Sequence, residues 1–232
     1  MITGKKIGIL IPVIFLLSLP FVYSIDVTET TAEVFLRGEY NRGFNNYGEA
    51  SAAAGIEFNK LVKLRGGFSM GTTAEDTDIN AFFSAGYSPF SAIPLTFSLM
   101  YIYSGFPEYS AHTHAILPVI SFGTDRAGVS AGVNFRLASF YGSEAQFESI
   151  FSFNGYFNFI NNELLRIGIS AGNYSEFLAR NMGAYSFCFN VLVRFNDNWS
   201  MNNSLEFLQS GGDGFSTVFY GFAWRGGVKF TW

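Results

Sequence analysis

The sequence predicts an all-β chain that closes into a transmembrane antiparallel up-and-down β-barrel of about twelve strands, with ten to fourteen compatible with the pattern. Three observations carry that expectation. Apolar residues recur at every second position from Ala32 to the C-terminus, the period of a strand and not of a helix. Ionised residues inside the alternating segments fall in one phase only. Phe (28), Gly (25) and Tyr (12) are abundant while charged residues make up only 14%, against about 25% in ordinary soluble domains.

The chain opens on a segment set apart from the rest. Lys5 and Lys6 precede an apolar stretch from Ile7 to Leu19, and Val22-Tyr23-Ser24 offers a small-residue cleavage pattern, so residues 1–24 are expected to be a signal peptide cut after Ser24. A retained membrane anchor fits less well, because Pro12 interrupts the stretch and Pro20 ends it short of the ~20 residues that span a bilayer. The mature domain is then 25–232. Loss of the two lysines moves the formal charge from -4 to -6, which lacks the basic footprint of a nucleic-acid binder. Cys188 is the single cysteine and cannot form a disulfide within the chain.

Twelve alternating segments follow, at 32–41, 49–58, 61–71, 79–88, 95–103, 112–122, 127–139, 146–159, 164–173, 182–195, 199–209 and 215–232. In the first, Val34, Leu36, Gly38 and Tyr40 alternate with Glu33, Phe35, Arg37 and Glu39. In the third, Val62, Leu64, Gly66, Phe68 and Met70 alternate with Lys63, Arg65, Gly67 and Ser69. The eighth sets Phe151, Phe153, Gly155, Phe157 and Phe159 against Ser152, Asn154, Tyr156 and Asn158. A lipid-facing Arg or Lys near the bilayer midplane costs about 2–4 kcal/mol, so the charged phase is assigned to the interior. Glu33, Arg37, Glu39, Glu49, Glu57, Lys63, Arg65, Arg136, Glu148, Arg166, Arg194, Glu206, Arg225 and Lys229 all occupy that phase and are expected to line a lumen. A soluble β-sandwich also alternates, but its water-facing phase carries more charge than this one, which is dominated by Gly, Ser, Asn and Ala.

Connections fall into two alternating sets. Residues 59–60, 123–126, 160–163 and 196–198 are tight, with 89–94 the exception, whereas 42–48, 72–78, 104–111, 140–145, 174–181 and 210–214 are mostly longer. Short turns on one side and longer loops on the other are the asymmetry of periplasmic and outer ends. The final segment places Tyr220, Phe222, Trp224, Val228, Phe230 and Trp232 in one phase and ends on an aromatic residue. On these residues the chain resembles bacterial outer-membrane barrels, although a terminal Phe is commoner there than Trp. The resemblance covers the mature chain as architecture and only its last strand as a motif. It implies residence in the outer membrane of a diderm bacterium, contact with outer-membrane lipid, and recognition of the last strand by the barrel-assembly machinery.

No phosphate-cradling glycine loop, metal-type cysteine spacing or GxSxG elbow occurs, so neither a cofactor nor a metal is expected. The best catalytic candidates are the only histidines, His112 and His114, near Ser110. Outer-membrane phospholipases and lipid A deacylases resemble this in pairing a Ser with a His on barrel strands. The local order Ser110-Ala111-His112-Thr113-His114 departs from their His-x-Ser pattern, and polar residues at a strand's outer rim explain both imidazoles. A two-histidine metal site lacks a third ligand.

Function is therefore sought in the lumen. Lys63, Arg65, Arg166, Arg194 and Lys229 are expected toward the periplasmic half, and Glu39, Glu49, Glu148 and Glu206 toward the outside. Such a wall either pairs and plugs or lines a path for small solutes. Twelve strands are wider than the eight whose side chains fill a barrel, which favours a small passive channel. The loops are too short to fold far inside, so wall side chains should form any constriction. A structural or adhesin-like barrel presenting Ala74-Glu75-Asp76-Thr77-Asp78 is the alternative, and a lipid-modifying enzyme is a second. Residues 79–122 carry no charge within their three strands, Met100 and Ile102 stand in the inward phase, and Pro118 predicts a bulge or kink. An apolar lumenal wall with a sideways opening is the sharper reading of that region, and a bulge or oligomer contact the plainer one.

Overall fold

The computed structural model describes residues 26–41, 46–73, 76–174, 184–211 and 217–232. Residues 1–24, expected to be the signal peptide, lie outside them. Twelve strands follow one another: β1 (Val27–Asn41), β2 (Tyr47–Phe58), β3 (Val62–Thr72), β4 (Thr77–Tyr87), β5 (Leu95–Phe106), β6 (Ala111–Gly123), β7 (Ala127–Ser139), β8 (Gln146–Asn161), β9 (Leu165–Gly172), β10 (Ala184–Arg194), β11 (Trp199–Gly211) and β12 (Thr217–Thr231). Each pairs antiparallel with its sequence neighbours, and β1 pairs with β12, so the sheet is a closed up-and-down barrel. The N–H of Trp232 donates to the Thr30 carbonyl and the N–H of Thr30 to the Trp232 carbonyl, both at 3.0 Å. Closure leaves no unpaired edge, the condition under which strands can cross hydrocarbon.

β1 starts five residues before the alternation does. Val27 to Thr31 lack an apolar period, yet they pair with β2 from Phe58 to Gly55, and Thr31 also pairs with Thr231 of β12. Partners on both sides override the local pattern. The β2–β3 turn is as tight as expected, with Asn59 (φ 50°) and Lys60 (φ 57°) both left-handed, the geometry that suits the twist of a two-residue hairpin.

At Pro118 the register does not shift, contrary to the expected bulge. Ile116 pairs with Phe135 and Val119 with Gly132, while the two rungs between them are missing on the β7 side. Pro118 has no N–H to give, and Gly132 lets the strands stay close: a Cβ there would lie 2.1 Å from the Pro118 carbonyl oxygen. On the other side, β4, β5 and β6 pair without interruption. That continuity leaves no gap between β4 and β5 or between β5 and β6; the missing rungs are on the β6–β7 side only. Register shifts instead occur at Val27/Glu29, Asn158/Ile160 and Leu208/Gln209. The last of these leaves Tyr220 out of the ladder, since Leu208 faces Gly221 and Gln209 faces Phe219. β12 thus carries one extra residue there; the side chain of Tyr220 lies outside those described, and so does the phase expected of it.

The two faces of the wall differ as the alternation demands. Phe68, Phe83, Phe147, Phe151, Phe222 and Trp224 stand exposed on the outside. A surface of this kind is stable only against lipid. The chain is a transmembrane barrel, and the core sits in the lumen. Phe82, Met100, Ile102, Ala115, Leu117, Val119 and Ala53 form one buried cluster there. It fills the side lined by β4 to β6, so this apolar wall is solid and not an open groove.

Candidate functional site

Opposite the apolar cluster, β1, β2, β3, β11 and β12 turn ionised side chains into the lumen. Their strand period of two puts Glu33, Phe35, Arg37 and Glu39 on one face of β1, and the cross-strand rungs set Arg37 against Glu49 on one side and Arg225 on the other. Arg37 donates to Glu39 at 2.8 Å and to Glu206 at 2.9 Å, all three side chains being no more than 16% exposed. Arg65 donates to Glu33 at 2.7 Å and lies over the Phe82 ring at 5.6 Å, at the border between the charged and apolar halves. The Arg225 guanidinium lies 4.4 Å over the ring of Phe35. That ring occupies the space above Gly227, where a Cβ would sit 1.9 Å from it.

These groups separate two cavities. The larger, about 590 Å³, lies toward the end that carries both termini and is lined by charged side chains from Glu33 to Lys229 with Ser84, Thr96, Ser98 and Asn202 between them. A smaller one of about 190 Å³ lies beyond it, among Arg37, Glu49, Glu206, Cys188, Asn190 and Tyr174. Asn202 and Arg225 line both. They mark the junction, the constriction between these two cavities.

Tyr174 was expected in an outer loop. It packs instead against the apolar cluster, and its hydroxyl is hydrogen-bonded to Ser130 on β7 at 2.7 Å. Asn173 aims it there: the Asn173 side chain accepts from the Phe153 N–H at 2.8 Å and donates to the Phe151 carbonyl at 2.7 Å. One residue beyond β9 is enough to narrow the outer cavity, so wall side chains are not the sole source of constriction. Nothing in the spacing of Asn173-Tyr174 signals this, because the contact joins residues 44 apart.

The remaining expected residues scatter. Glu57 and Lys63 line the larger cavity, as does Lys229, whose ammonium is 3.6 Å from Glu29. Arg136 and Glu148 face each other across β7 and β8. Arg166 turns to the end of the wall, donating to Asp125 at 2.9 Å and to Asn161 at 3.0 Å. Arg194 donates to the carbonyls of Asn162 and Glu163. Both tie down hairpins and line neither lumenal cavity. The last strand exposes Phe222, Trp224, Val228 and Trp232 outward, and Phe230 stacks on Trp232 with centroids 5.3 Å apart.

His112 and His114 stand in the outward phase of β6 with Ile116, Ile120 and Phe122, away from the lumen. His114 Nδ1 is hydrogen-bonded to the Tyr101 hydroxyl at 2.7 Å. Ser110 sits in the turn after Pro107–Tyr109 with φ 47°, its N–H bound to the Pro107 carbonyl. Among the described residues no group of three or more His, Cys, Asp or Glu could hold a metal ion. Of the loop 74–78, Ala74 and Glu75 lie outside the described residues. Thr77 and Asp78 belong to β4, and Asp78 accepts from Tyr47 and Asn80, so two of those five residues are wall.

Solved structures with the same architecture are outer-membrane barrels. A NanC porin is 12% identical with a TM-score of 0.59, over 85% of this chain and 98% of that one. An outer-membrane channel from Pseudomonas putida F1 is 8% identical with a TM-score of 0.58, over 92% and 99%. The translocator domain of the autotransporter NalP from Neisseria meningitidis is 13% identical with a TM-score of 0.52, over 87% of each chain. At these identities the likeness is one of fold. No family model and no curated protein matches the chain.

Proposed function

We propose that this barrel is a small passive channel through which small solutes diffuse across the outer membrane, and that the strand ending in Phe230 and Trp232 is the one the assembly machinery reads. The observation that carries the channel reading is the pair of lumenal cavities, both bearing ionised side chains, that meet at Arg225 and Asn202 inside a closed wall. A plugged barrel would have its charges packed to the walls at every height. Here about 590 Å³ stays open below the constriction, lined by apolar side chains such as Leu61, Val62 and Met100 together with hydroxyls and ionised groups that can replace part of a solute's hydration. The fold likeness to porins and channels supports the same reading.

Refolded protein in planar bilayers is expected to give discrete conductance steps. Cys188 lies in the outer cavity, so a methanethiosulfonate reagent should reduce the current in the wild type and leave Cys188→Ser untouched. A correctly folded barrel that carries no current would reject the channel and leave the structural barrel standing.

Tyr174 makes a second test. Tyr174→Ala is expected to raise single-channel conductance roughly twofold, since it removes a ring from the narrower cavity. Tyr174→Phe, which keeps the ring and loses only the bond to Ser130, should conduct like the wild type. Equal currents for all three proteins would mean that Tyr174 does not limit the path.

A further inference from the structure

We infer that the channel prefers small anions to cations, and that its selecting element is the larger cavity with Arg225 at its inner end. This rests on the channel reading above and adds the class of solute. Five cationic side chains, Lys60, Lys63, Arg65, Arg225 and Lys229, line that cavity against two carboxylates, Glu33 and Glu57. Glu33 and Arg65 pair at 2.7 Å with both side chains nearly buried, so they largely cancel each other and leave Lys60, Lys63, Arg225 and Lys229 against Glu57. Glu29 lies 3.6 Å from Lys229, but both are about a third exposed, and solvent screens that pair.

Beyond the constriction the balance changes. Arg37 and Arg225 face Glu49 and Glu206 across the outer cavity, and the excess vanishes. The sign of the field along the path is therefore set in the larger cavity, where low-dielectric walls concentrate it. Arg225 stands where that cavity meets the outer one. Its guanidinium carbon lies 4.4 Å from the centre of the Phe35 ring, which itself lies over Gly227. A positive charge at that point favours a carboxylate or phosphate over a hydrated cation. The hydroxyls of Ser84, Thr96 and Ser98 on the facing wall supply neutral hydrogen bonds to the rest of such a solute.

The test is the reversal potential of the refolded full chain under a KCl gradient. Chloride is expected to be favoured over potassium by about threefold near 0.1 M salt, with the preference fading at 1 M as the screening length falls to about 3 Å. The double variant Lys63→Gln/Lys229→Gln touches two accessible side chains at the mouth and should bring the ratio close to one while the channel still opens. Heat-modifiable gel mobility checks that it folds. An open wild-type channel that favours potassium overturns the anion preference and spares the channel. A ratio unchanged by the double variant removes the larger cavity as its source. Absence of any current overturns both readings together.

Discussion

Arg37→Met is expected to destabilise the barrel by about 3–5 kcal/mol, the cost of stranding buried charges when one partner of an ion pair is removed. Arg37 is only 10% exposed and holds two carboxylates, Glu39 at 2.8 Å and Glu206 at 2.9 Å. Without it those two acids face each other and Glu49 across the lumen with the attraction gone. Adding Glu206→Gln to Arg37→Met should recover about 1–3 kcal/mol, because neighbours in one network do not contribute additively. Urea unfolding in lipid vesicles measures both. A loss under about 1 kcal/mol would mean that water already screens this triad as it does a surface pair, and that the lumen at Arg37 is wetter than its packing indicates.

Phe83→Arg is expected to cost about 2–4 kcal/mol, the depth-dependent penalty for a cation in the lipid face of a barrel. Phe83 stands in the middle of β4, half-exposed on the outer wall, with Tyr101 and Gly66 as its rung partners. The next residue, Ser84, lines the larger cavity. Ser84→Arg should cost far less, because a one-residue step along a strand changes which side of the wall a side chain occupies. The same unfolding experiment compares the two. Equal losses would contradict the assignment of faces on which the membrane reading rests, and loss for Ser84→Arg alone would invert it.

Much of the wall was legible in the sequence because a strand has a period of two and lipid imposes one sign of polarity on alternate residues. Phe151 outside and Ser152 inside could be read from their order alone. Departures occurred where partners, not patterns, decide. β1 is extended to Val27 by pairing on both sides, although its first residues show no alternation. Tyr220 has no rung in the ladder because β11 and β12 shift register between Leu208 and Gln209. Pro118 removes rungs without adding a residue because Gly132 admits its carbonyl.

The constriction was less legible than the wall. Phe35 shares its phase with Glu33, Arg37 and Glu39, and only the closed ring brings Arg225 over it, across the β1–β12 seam. Arg166 and Arg194 share the phase of the lumenal charges but lie near strand ends, where hairpin carbonyls and Asp125 are closer than the lumen. Phase gives the face of a residue and leaves its height and reach open.

By itself, then, the order of residues determined that this chain crosses a membrane with strands and turns its charges inward, because those are consequences of local periodicity and of the cost of a charge in hydrocarbon. Which charges meet, where the lumen narrows, and that Tyr174 reaches in to narrow it were decided only by closure of the barrel. Closure brings residues from distant strands within a few ångströms of one another, and the energy of those contacts depends on distances that no linear spacing encodes.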